Sequence, residues 1–332
     1  MSNLANIVGD FSHQRVVVIG DAIADQFIYG EISRVSREAP VFILRHEHTE
    51  TTPGGAGNCA ANLAALGAKV ALVSVLGNDE PGQILSSKLR EAGVDCAGVL
   101  LSDSRRTTTK VRVLAGQIHS TRQQVIRIDY DNTPELDAEL KDRLCADVRK
   151  AVAAADAVII SDYNYGVADP TIGEVVREAV GVRKIPVLVD SRFRLSSFPG
   201  FTSATPNEDE VEELLGAAHS DDATLETGAE QLRERLGYQA LLVTRGGHGI
   251  TLLESDALPL HLDAVGSRQP VDVTGAGDTV IATYTLALAS GASFADAARL
   301  ANYAGGIVVM KRGTATVTSE ELMSAALSNN EG

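Results

Sequence analysis

The 332-residue chain lacks the features that mark several classes of protein. It holds only three cysteines, Cys59, Cys96 and Cys145, which form no disulfide or metal-binding pattern and predict buried free thiols in a reducing compartment. No apolar run approaches the length of a membrane span, and residues 1–14 lack the apolar core of a secretion signal. A net charge of −15 argues against a nucleic-acid-binding surface, which needs a basic patch. We therefore expect a cytoplasmic protein without nucleic-acid or membrane partners.

What is present has the composition of an ordinary globular protein, with 44% hydrophobic and 22% charged residues. From residue 136 onward, short apolar segments alternate with helical ones, as in right-handed strand–helix–strand units on a parallel sheet. Upstream, residues 15–20 and 70–76 are apolar runs typical of buried parallel strands. Segments 26–50 and 105–130 mix polar and apolar residues, which predicts short strands of a separate small sheet.

The most informative stretch is the glycine-rich turn at residues 271–279, which precedes an apolar helical segment. Backbone amides at a helix start lack internal partners and, with the helix dipole, attract anions. Gly275 and Gly277 allow close approach, whereas the carboxylate of Asp278 would repel an anion. Such a carboxylate is useful as a base that takes a proton from a hydroxyl attacking a phosphoryl group. The turn therefore predicts phosphoryl transfer; the alternative is an ordinary helix start with an acid in its first turn.

Other polar residues follow predicted strands, where ligands of open α/β sheets bind. Asp21 and Asp25 come after the first strand and could accept hydrogen bonds from sugar hydroxyls, or serve as a turn acid and a helix cap. Residues 53–58 form a second glycine-rich turn before a helix, and Asn58 can both donate to and accept from a polyol. This turn matches the dinucleotide-binding fingerprint only loosely, because no buried strand runs directly into it. No Walker A motif occurs, which excludes a P-loop mechanism.

Three further segments each allow a functional and a structural interpretation. Asn207 and Glu210 share one helical face and carry oxygens that suit Mg²⁺, but the same residues could cap a helix. Residues 244–247 offer bare backbone and a cation to nucleotide phosphates, or form a simple turn. Segment 105–130 is unusually basic for this acidic chain and could hold a phosphate or be a solvated face. Its cations are Arg105, Arg106, Lys110, Arg112, Arg122 and Arg127.

The motifs at residues 54–58, 207–210 and 272–278 resemble, in order, those of the ribokinase (PfkB) family of sugar kinases, a likeness that extends over nearly the whole chain. The resemblance implies one domain over residues 1–332 with a ribokinase-like three-layer α/β/α fold, a mostly parallel central sheet and a small β lid. The lid would comprise the two small-sheet segments. Within the family, the chain is most similar to the heptose 7-phosphate kinases of lipopolysaccharide-heptose biosynthesis, through residues 20–21, 33–41, 123–129, 161–163 and 311–317.

The resemblance implies an ATP-dependent enzyme that phosphorylates the anomeric hydroxyl of a heptose 7-phosphate, giving the 1,7-bisphosphate. Asp278 would be the base, and the amides of Gly275, Ala276 and Gly277 would form the anion hole. The implied substrate site comprises Asp21, Asp25, Gly54, Gly55, Asn58, Lys110, Arg112, Arg127 and Asp162. The implied ATP and Mg²⁺ site comprises Asn207, Glu210, Thr244, Arg245, Gly246 and Gly247, and Asp272, Thr274 and Gly313 would bind a monovalent cation such as K⁺.

One departure concerns the segment after the strand at Val187. The heptose kinases would have Asp-Pro-Lys there, whereas this chain has Asp190, Ser191 and Arg192. Because Arg and Lys bind phosphates with different geometry, the identity of the sugar stays open. We expect a monofunctional homodimer that associates through the lid. The alternatives are a kinase for another phosphosugar or a nucleoside, a non-catalytic sugar- or nucleotide-binding protein and, last, a nicotinamide-dependent oxidoreductase.

Overall fold

A nine-stranded sheet forms the centre of the molecule. The computed structural model describes residues 4–116, 122–132, 135–216, 221–266 and 270–328. The strands of this sheet are β1 (Arg15–Gly20), β4 (Lys69–Gly77), β5 (Asp95–Ser102), β8 (Ala157–Asp162), β9 (Val187–Ser191), β10 (Ser203–Ala204), β11 (Ala240–Thr244), β12 (Ile250–Glu254) and β13 (Leu260–Leu262). Their order is β13-β12-β11-β10-β9-β8-β1-β4-β5, and every pairing is parallel except β11 with β12 and β12 with β13, which are antiparallel.

Helices cover both faces of this sheet. On one face lie α1 (Leu4–Gly9), α2 (Ala56–Ala65), α3 (Glu80–Glu91), α8 (Ala276–Ala289), α9 (Phe294–Val308) and α10 (Ser319–Ser328). On the other lie α4 (Ala138–Ala153), α5 (Pro170–Val180), α6 (Glu208–Leu215) and α7 (Asp222–Leu236). Short 3₁₀ helices span Asp10–His13, Leu195–Ser197 and Gly246–His248. Val16 and Val18 of β1 pack into one core, and Val17 and Ile19 into the other, because successive side chains point to opposite faces.

The order of the strands determines where a ligand can bind. β1 lies between β4 and β8, so the chain builds one half of the sheet on each side of it. Crevices in open α/β sheets form at such a reversal, outside the carboxyl ends of the strands. The three layers and the mostly parallel sheet confirm the fold class predicted from the sequence.

A second, four-stranded sheet has the order β3-β2-β6-β7. Its strands are β2 (Ala22–Val35), β3 (Phe42–Gly55), β6 (Thr109–Gly116) and β7 (Gln123–Tyr130), with β2 and β6 parallel. The predicted short strands in segment 26–50 are wrong in length: β2 and β3 are a hairpin of two 14-residue strands. β3, half of whose residues are exposed, runs directly into α2. Residues 117–121 of the second predicted segment lie outside the described residues.

Several other boundaries differ from the sequence prediction. The helix predicted from Val280 begins at Ala276, because Gly275 adopts the left-handed conformation and starts the first turn earlier. Four elements of the structure, β5, α1, α9 and α10, were not predicted from the sequence. The three cysteines are free and buried, as predicted. In the part of the chain that the structure describes, no helix is long and apolar enough to cross a membrane.

Candidate active site

A cleft of about 200 Å³ lies between the small sheet and the carboxyl edge of the large sheet. The small sheet contributes Ile23, Asp25, Gly55, Lys110 and Arg112; the large sheet and its helices contribute Tyr163, Arg192, Thr314 and residues 273–278. The cleft therefore combines the predicted glycine-rich turn with two of the predicted lid cations.

Asp278 lies in the first turn of α8, and its side chain is held from two directions. The Nδ2 group of Asn58 in α2 donates to its Oδ2 at 2.8 Å, and the phenol of Tyr163 donates to its Oδ1 at 2.9 Å. Asn58 was predicted to bind sugar, but its amide is directed at Asp278 and at the carbonyl of Gly275, 3.3 Å away. These contacts fix the orientation of the carboxylate at the base of the cleft.

The environment of Asp278 makes it a better base than an exposed aspartate. Burial raises the pKa of Asp278 to about 6, and the donors Asn58 and Tyr163 limit that rise. Asp25 raises the same pKa and Lys110 lowers it. A carboxylate with a pKa nearer to neutrality is still ionised at pH 7 and accepts a proton more readily.

The turn before α8 presents open backbone amides, but not all of the predicted ones. The amide of Ala276 donates to the carbonyl of Val273 at 3.2 Å, so its predicted place in an anion hole is wrong. Within the described ranges, the amides of Gly277 and Asp278 have no backbone acceptor. Gly277 is exposed, and a Cβ added there would meet no atom within 4 Å. The amide of Gly275, also predicted for the anion hole, likewise has no backbone acceptor among the described residues, so the open amides of this turn are those of Gly275, Gly277 and Asp278.

Three cations line the cleft around this turn. Arg112 forms an ion pair with Asp25, so both predicted residues reach the cleft as a pair. Lys110 is buried and lies 5.6 Å above the ring of Tyr163; burial lowers its pKa, which Asp25 counteracts. Arg192 is exposed and has no side-chain hydrogen bond or ion pair among the described residues. The described lining of the cleft thus holds these three cations beside the carboxylates of Asp25 and Asp278, in a chain of net charge −15.

Asp21 does not line the cleft, contrary to its predicted contact with substrate. Its carboxylate accepts the backbone amides of Tyr163, Tyr165 and Val167 at 2.9, 3.1 and 3.0 Å. Burial raises its pKa to about 6, and the three amide donors oppose that rise. Asp21 therefore anchors the loop that follows β8.

Asp162 and Arg127 are also directed away from the cleft. The buried carboxylate of Asp162 binds the guanidinium of Arg194 and the hydroxyl of Ser191, so it stabilises the loop after β9. Arg127 forms two hydrogen bonds with Asp129 on the exposed strand β7. Neither residue is placed to bind a substrate in this structure.

Gly54 and Gly55 make room for other residues of the site. A Cβ on Gly54 would lie 2.2 Å from Oδ2 of Asp25. Gly55 has a φ of 55°, and a Cβ there would lie 2.6 Å from the carbonyl oxygen of Asp21 and 3.2 Å from the Tyr163 ring. Glycine is needed at both positions because the backbone approaches its neighbours too closely for a side chain.

Asn207 and Glu210 form a capping box at the start of α6. The side chain of Asn207 accepts the Glu210 amide at 2.8 Å, and the Glu210 carboxylate accepts the Asn207 amide at 2.9 Å. Burial raises the pKa of Glu210. Desolvation raises the pKa of Asp190 well above its usual range, with Asp278 and Glu210 adding to the effect. No group of three or more potential metal ligands occurs among the described residues.

The loop after β11 lies next to this helix start, since Thr244 and Asn207 form an isolated parallel bridge. Arg245 was predicted to bind a nucleotide, but its guanidinium pairs with Glu208 and Asp222. It therefore ties the loop to α6 and α7. Gly246 and Gly247 are exposed and have open space around them.

The predicted monovalent-cation residues lie together. The two carboxylate oxygens of Asp272 accept the amides of Thr274 at 3.0 Å and Gly313 at 2.9 Å. Burial alone would raise the pKa of Asp272, but these donors outweigh burial and lower it. The aspartate thus joins the turn before α8 to the loop containing Gly313.

Comparison with known proteins agrees with this geometry. The family model described as pfkB family carbohydrate kinase matches residues 13–321. The chain belongs to the pfkB family of carbohydrate kinases. This membership confirms the family and the enzyme class predicted from the sequence.

Curated relatives of this pfkB-family chain are longer than the chain itself. The bifunctional protein HldE of Caulobacter vibrioides is 42% identical over 331 residues, covering 98% of this chain and 66% of that protein. The same-named protein of Pseudomonas aeruginosa is 42% identical over 316 residues, covering 95% and 64%. The chain thus spans somewhat less than two thirds of the length of these relatives.

Solved structures share the fold. The chain resembles Arabidopsis thaliana ribokinase complexed with ribose and ATP, with a TM-score of 0.73, 20% identity and coverage of 94% of this chain and 98% of that one. It resembles Escherichia coli phosphofructokinase-2 in complex with potassium, with a TM-score of 0.78, 19% identity and coverage of 96% and 99%. These likenesses confirm the ribokinase-like fold.

No role was predicted from the sequence for one residue of the pfkB-family site, although it lies in the 161–163 segment that carries part of the resemblance. Tyr163 touches Asp278 from 115 positions away along the chain and shares no motif with it. Arg192 stands out in the sequence only as a departure from an expected lysine, yet it lines the cleft. Its place after β9, at the carboxyl edge of the sheet, is the signal that could have found it.

Proposed function

We propose that the chain is an ATP-dependent kinase that phosphorylates the anomeric hydroxyl of a heptose 7-phosphate. The observation that carries this proposal is the convergence of Lys110, Arg112 and Arg192 on the cleft that contains Asp278. One base next to several cations suits an acceptor sugar that already bears a phosphate. The similarity to HldE proteins and the sequence resemblance to heptose 7-phosphate kinases support the same substrate.

In the proposed reaction, Asp278 removes the proton of the anomeric hydroxyl as its oxygen attacks the γ-phosphorus of ATP. The new bond joins that oxygen to phosphorus, the bond from phosphorus to the β,γ-bridging oxygen breaks, and ADP leaves with its electron pair. The open amides of Gly277 and Asp278 stabilise the negative charge on the transferring phosphoryl group. The proton ends on Asp278.

The residues near α6 fit a magnesium ion that arrives with the nucleotide. Mg²⁺ in such enzymes is held by one or two carboxylates, waters and substrate phosphates rather than by a protein cage. Glu210 and Asn207 would hold it, largely through water, and the bound ion would neutralise phosphate charge. The exposed backbone at Gly246 and Gly247 would accept the nucleotide, while Asp272, Thr274 and Gly313 would form a K⁺ site.

The small sheet would act as a lid and as a dimer contact. Its strands β2 and β6 supply cleft residues, so it can exclude water from the reacting groups. Its outer strand β7 exposes Ile126, Ile128 and Tyr130, which alternation places on one face. We propose that a second copy covers this row in a cytoplasmic homodimer.

A substrate panel tests the proposed function. ADP release is measured with ATP and heptose 7-phosphate, the unphosphorylated heptose, other sugar phosphates and nucleosides. Heptose 7-phosphate should give the highest kcat/KM, because only a phosphorylated sugar uses the three cations. A higher kcat/KM for a nucleoside, an unphosphorylated sugar or another sugar phosphate would contradict the proposal.

Asp278→Asn tests the base. General-base catalysis contributes about 10²–10⁴-fold, so kcat should fall by about 10³-fold while the KM for the sugar changes little. The substitution keeps the size of the side chain. Turnover near that of the wild type would show that another group removes the proton.

A further inference from the structure

Among the described residues, the hydroxyl of Tyr163 has one hydrogen-bond partner, the Oδ1 of Asp278. The phenol cannot act as the base itself, because burial and the neighbouring carboxylates raise its pKa well above the ordinary value. It therefore stays protonated and acts as a donor. An ionised carboxylate has about four acceptor sites, so Tyr163 and Asn58 leave lone pairs for the substrate hydroxyl.

The position of this phenol is fixed by its loop. The carboxylate of Asp21 at the end of β1 accepts three backbone amides from residues 163–167. Asn164 takes a φ of 63°, the left-handed conformation that asparagine tolerates, and its amide binds Asp162. Gly55 leaves space for the Tyr163 ring, and Lys110 lies above it. The tyrosine is thus held by its own loop and bordered by residues of two strands of the small sheet, Gly55 of β3 and Lys110 of β6.

We propose that Tyr163 is a positioning residue for the base, holding Asp278 in its reactive orientation and favouring its ionised form, with Asp21 anchoring the loop that carries it. The proposal rests on the proposed function of Asp278, since a base must be both ionised and aimed at the acceptor hydroxyl. Asn58 alone would hold only one of the two carboxylate oxygens.

Other charged or titratable groups near Asp278 stay in place when Tyr163 is changed. They are Asp25 from β2, Lys110 and Arg112 from β6, Asp190 and Arg192 around the end of β9, and the thiol of Cys59 from α2. A Tyr163→Phe substitution keeps the ring under Lys110 and removes only the hydroxyl. A change in the pKa of Asp278 in this variant therefore measures the effect of the hydrogen bond from the Tyr163 hydroxyl.

The test titrates Asp278 directly by ¹³C NMR of protein labelled at the aspartate carboxyl carbons, with Asp278→Asn identifying its signal. A hydrogen bond to a charged group is strong enough that Tyr163→Phe should raise the pKa of Asp278 by about one pH unit. Tyr165→Phe is the matched control, because it removes a hydroxyl from the same loop without touching Asp278. The control should leave the titration unchanged.

Kinetics provide the second readout. In Tyr163→Phe, the acid limb of the pH profile of kcat/KM should move to higher pH by about one unit, like the pKa of Asp278. At the same time kcat should fall by about tenfold, with a smaller change in KM. If Tyr163 had only a structural role, the substitution would lower the maximum of kcat/KM without shifting the pH at which its acid limb falls. If Tyr163→Phe folds poorly, 3,5-difluorotyrosine at position 163 keeps the hydroxyl as a stronger donor and should lower the pKa of Asp278.

An unchanged titration of Asp278 in a folded variant would overturn the proposal. Wild-type protein that fails to phosphorylate heptose 7-phosphate would instead contradict the proposed function, and the NMR measurement would still decide the role of Tyr163. The two failures are therefore distinguishable.

Discussion

The turn before α2 and the turn before α8 both place a glycine with positive φ directly ahead of a helix, Gly55 at 55° and Gly275 at 76°. In the first turn, added Cβ atoms would strike Asp25 and the backbone of Asp21. In the second, Gly277 has no neighbour within 4 Å. Glycine in the first turn therefore permits internal packing, whereas Gly277 leaves space for something outside the protein.

The two turns are connected through one side chain. The amide of Asn58, just inside α2, binds both the carbonyl of Gly275 and the carboxylate of Asp278. A Cβ on Gly275 would lie 2.4 Å from that amide nitrogen. The closely packed first turn thus acts as a support for the open second turn. Similar glycine patterns can serve opposite purposes, and the neighbouring atoms decide which.

The largest effect expected from this comparison is a loss of stability in Gly55→Ala. Alanine would have to adopt a positive φ, which residues with a side chain rarely do, and its Cβ would clash with the carbonyl oxygen of Asp21. Together the two effects should lower the free energy of unfolding by about 3 kcal/mol. Urea unfolding measures this change. Gly57→Ala is the control: its Cβ would make an ordinary contact of 3.4 Å in helix α2, and its stability should be retained. Equal costs for both variants would contradict the packing explanation.

A smaller effect of opposite sign is expected for the stability of Asp278→Asn. The folded pKa of about 6 exceeds the ordinary 3.8, so the native state binds more protons and loses stability as pH rises from about 4 to about 6. Removing the charge should stabilise the protein by about 1–2 kcal/mol at about pH 7.5, and by little at about pH 4. Urea unfolding at both pH values checks this. A pH-independent difference would mean that the buried charge is not the cause.

Much of this organisation follows from local sequence. The turn at residues 271–279 predicts a helix start, an anion site and a base, because those properties depend on consecutive residues. The partner of Asp21 could not be predicted, since the amides that it binds lie more than 140 positions away. Arg245 shows the same limit: its guanidinium could bind a phosphate, but in the structure it pairs with carboxylates of α6 and α7. Side chains that can bind several partners are assigned only by tertiary contacts.

The smallest effect on the fold, and the sharpest test of the comparison, is expected for Gly277→Ala. Because a Cβ at this helical position meets nothing, the free energy of unfolding should change by less than about 0.5 kcal/mol. The methyl group would nevertheless project where the phosphoryl group must approach the open amides, so kcat should fall by about tenfold. Gly9→Ala in α1 also adds a Cβ to open space and should leave both quantities unchanged. Full activity in Gly277→Ala would place the transferring phosphoryl group away from this turn, and the open second turn would then need another explanation.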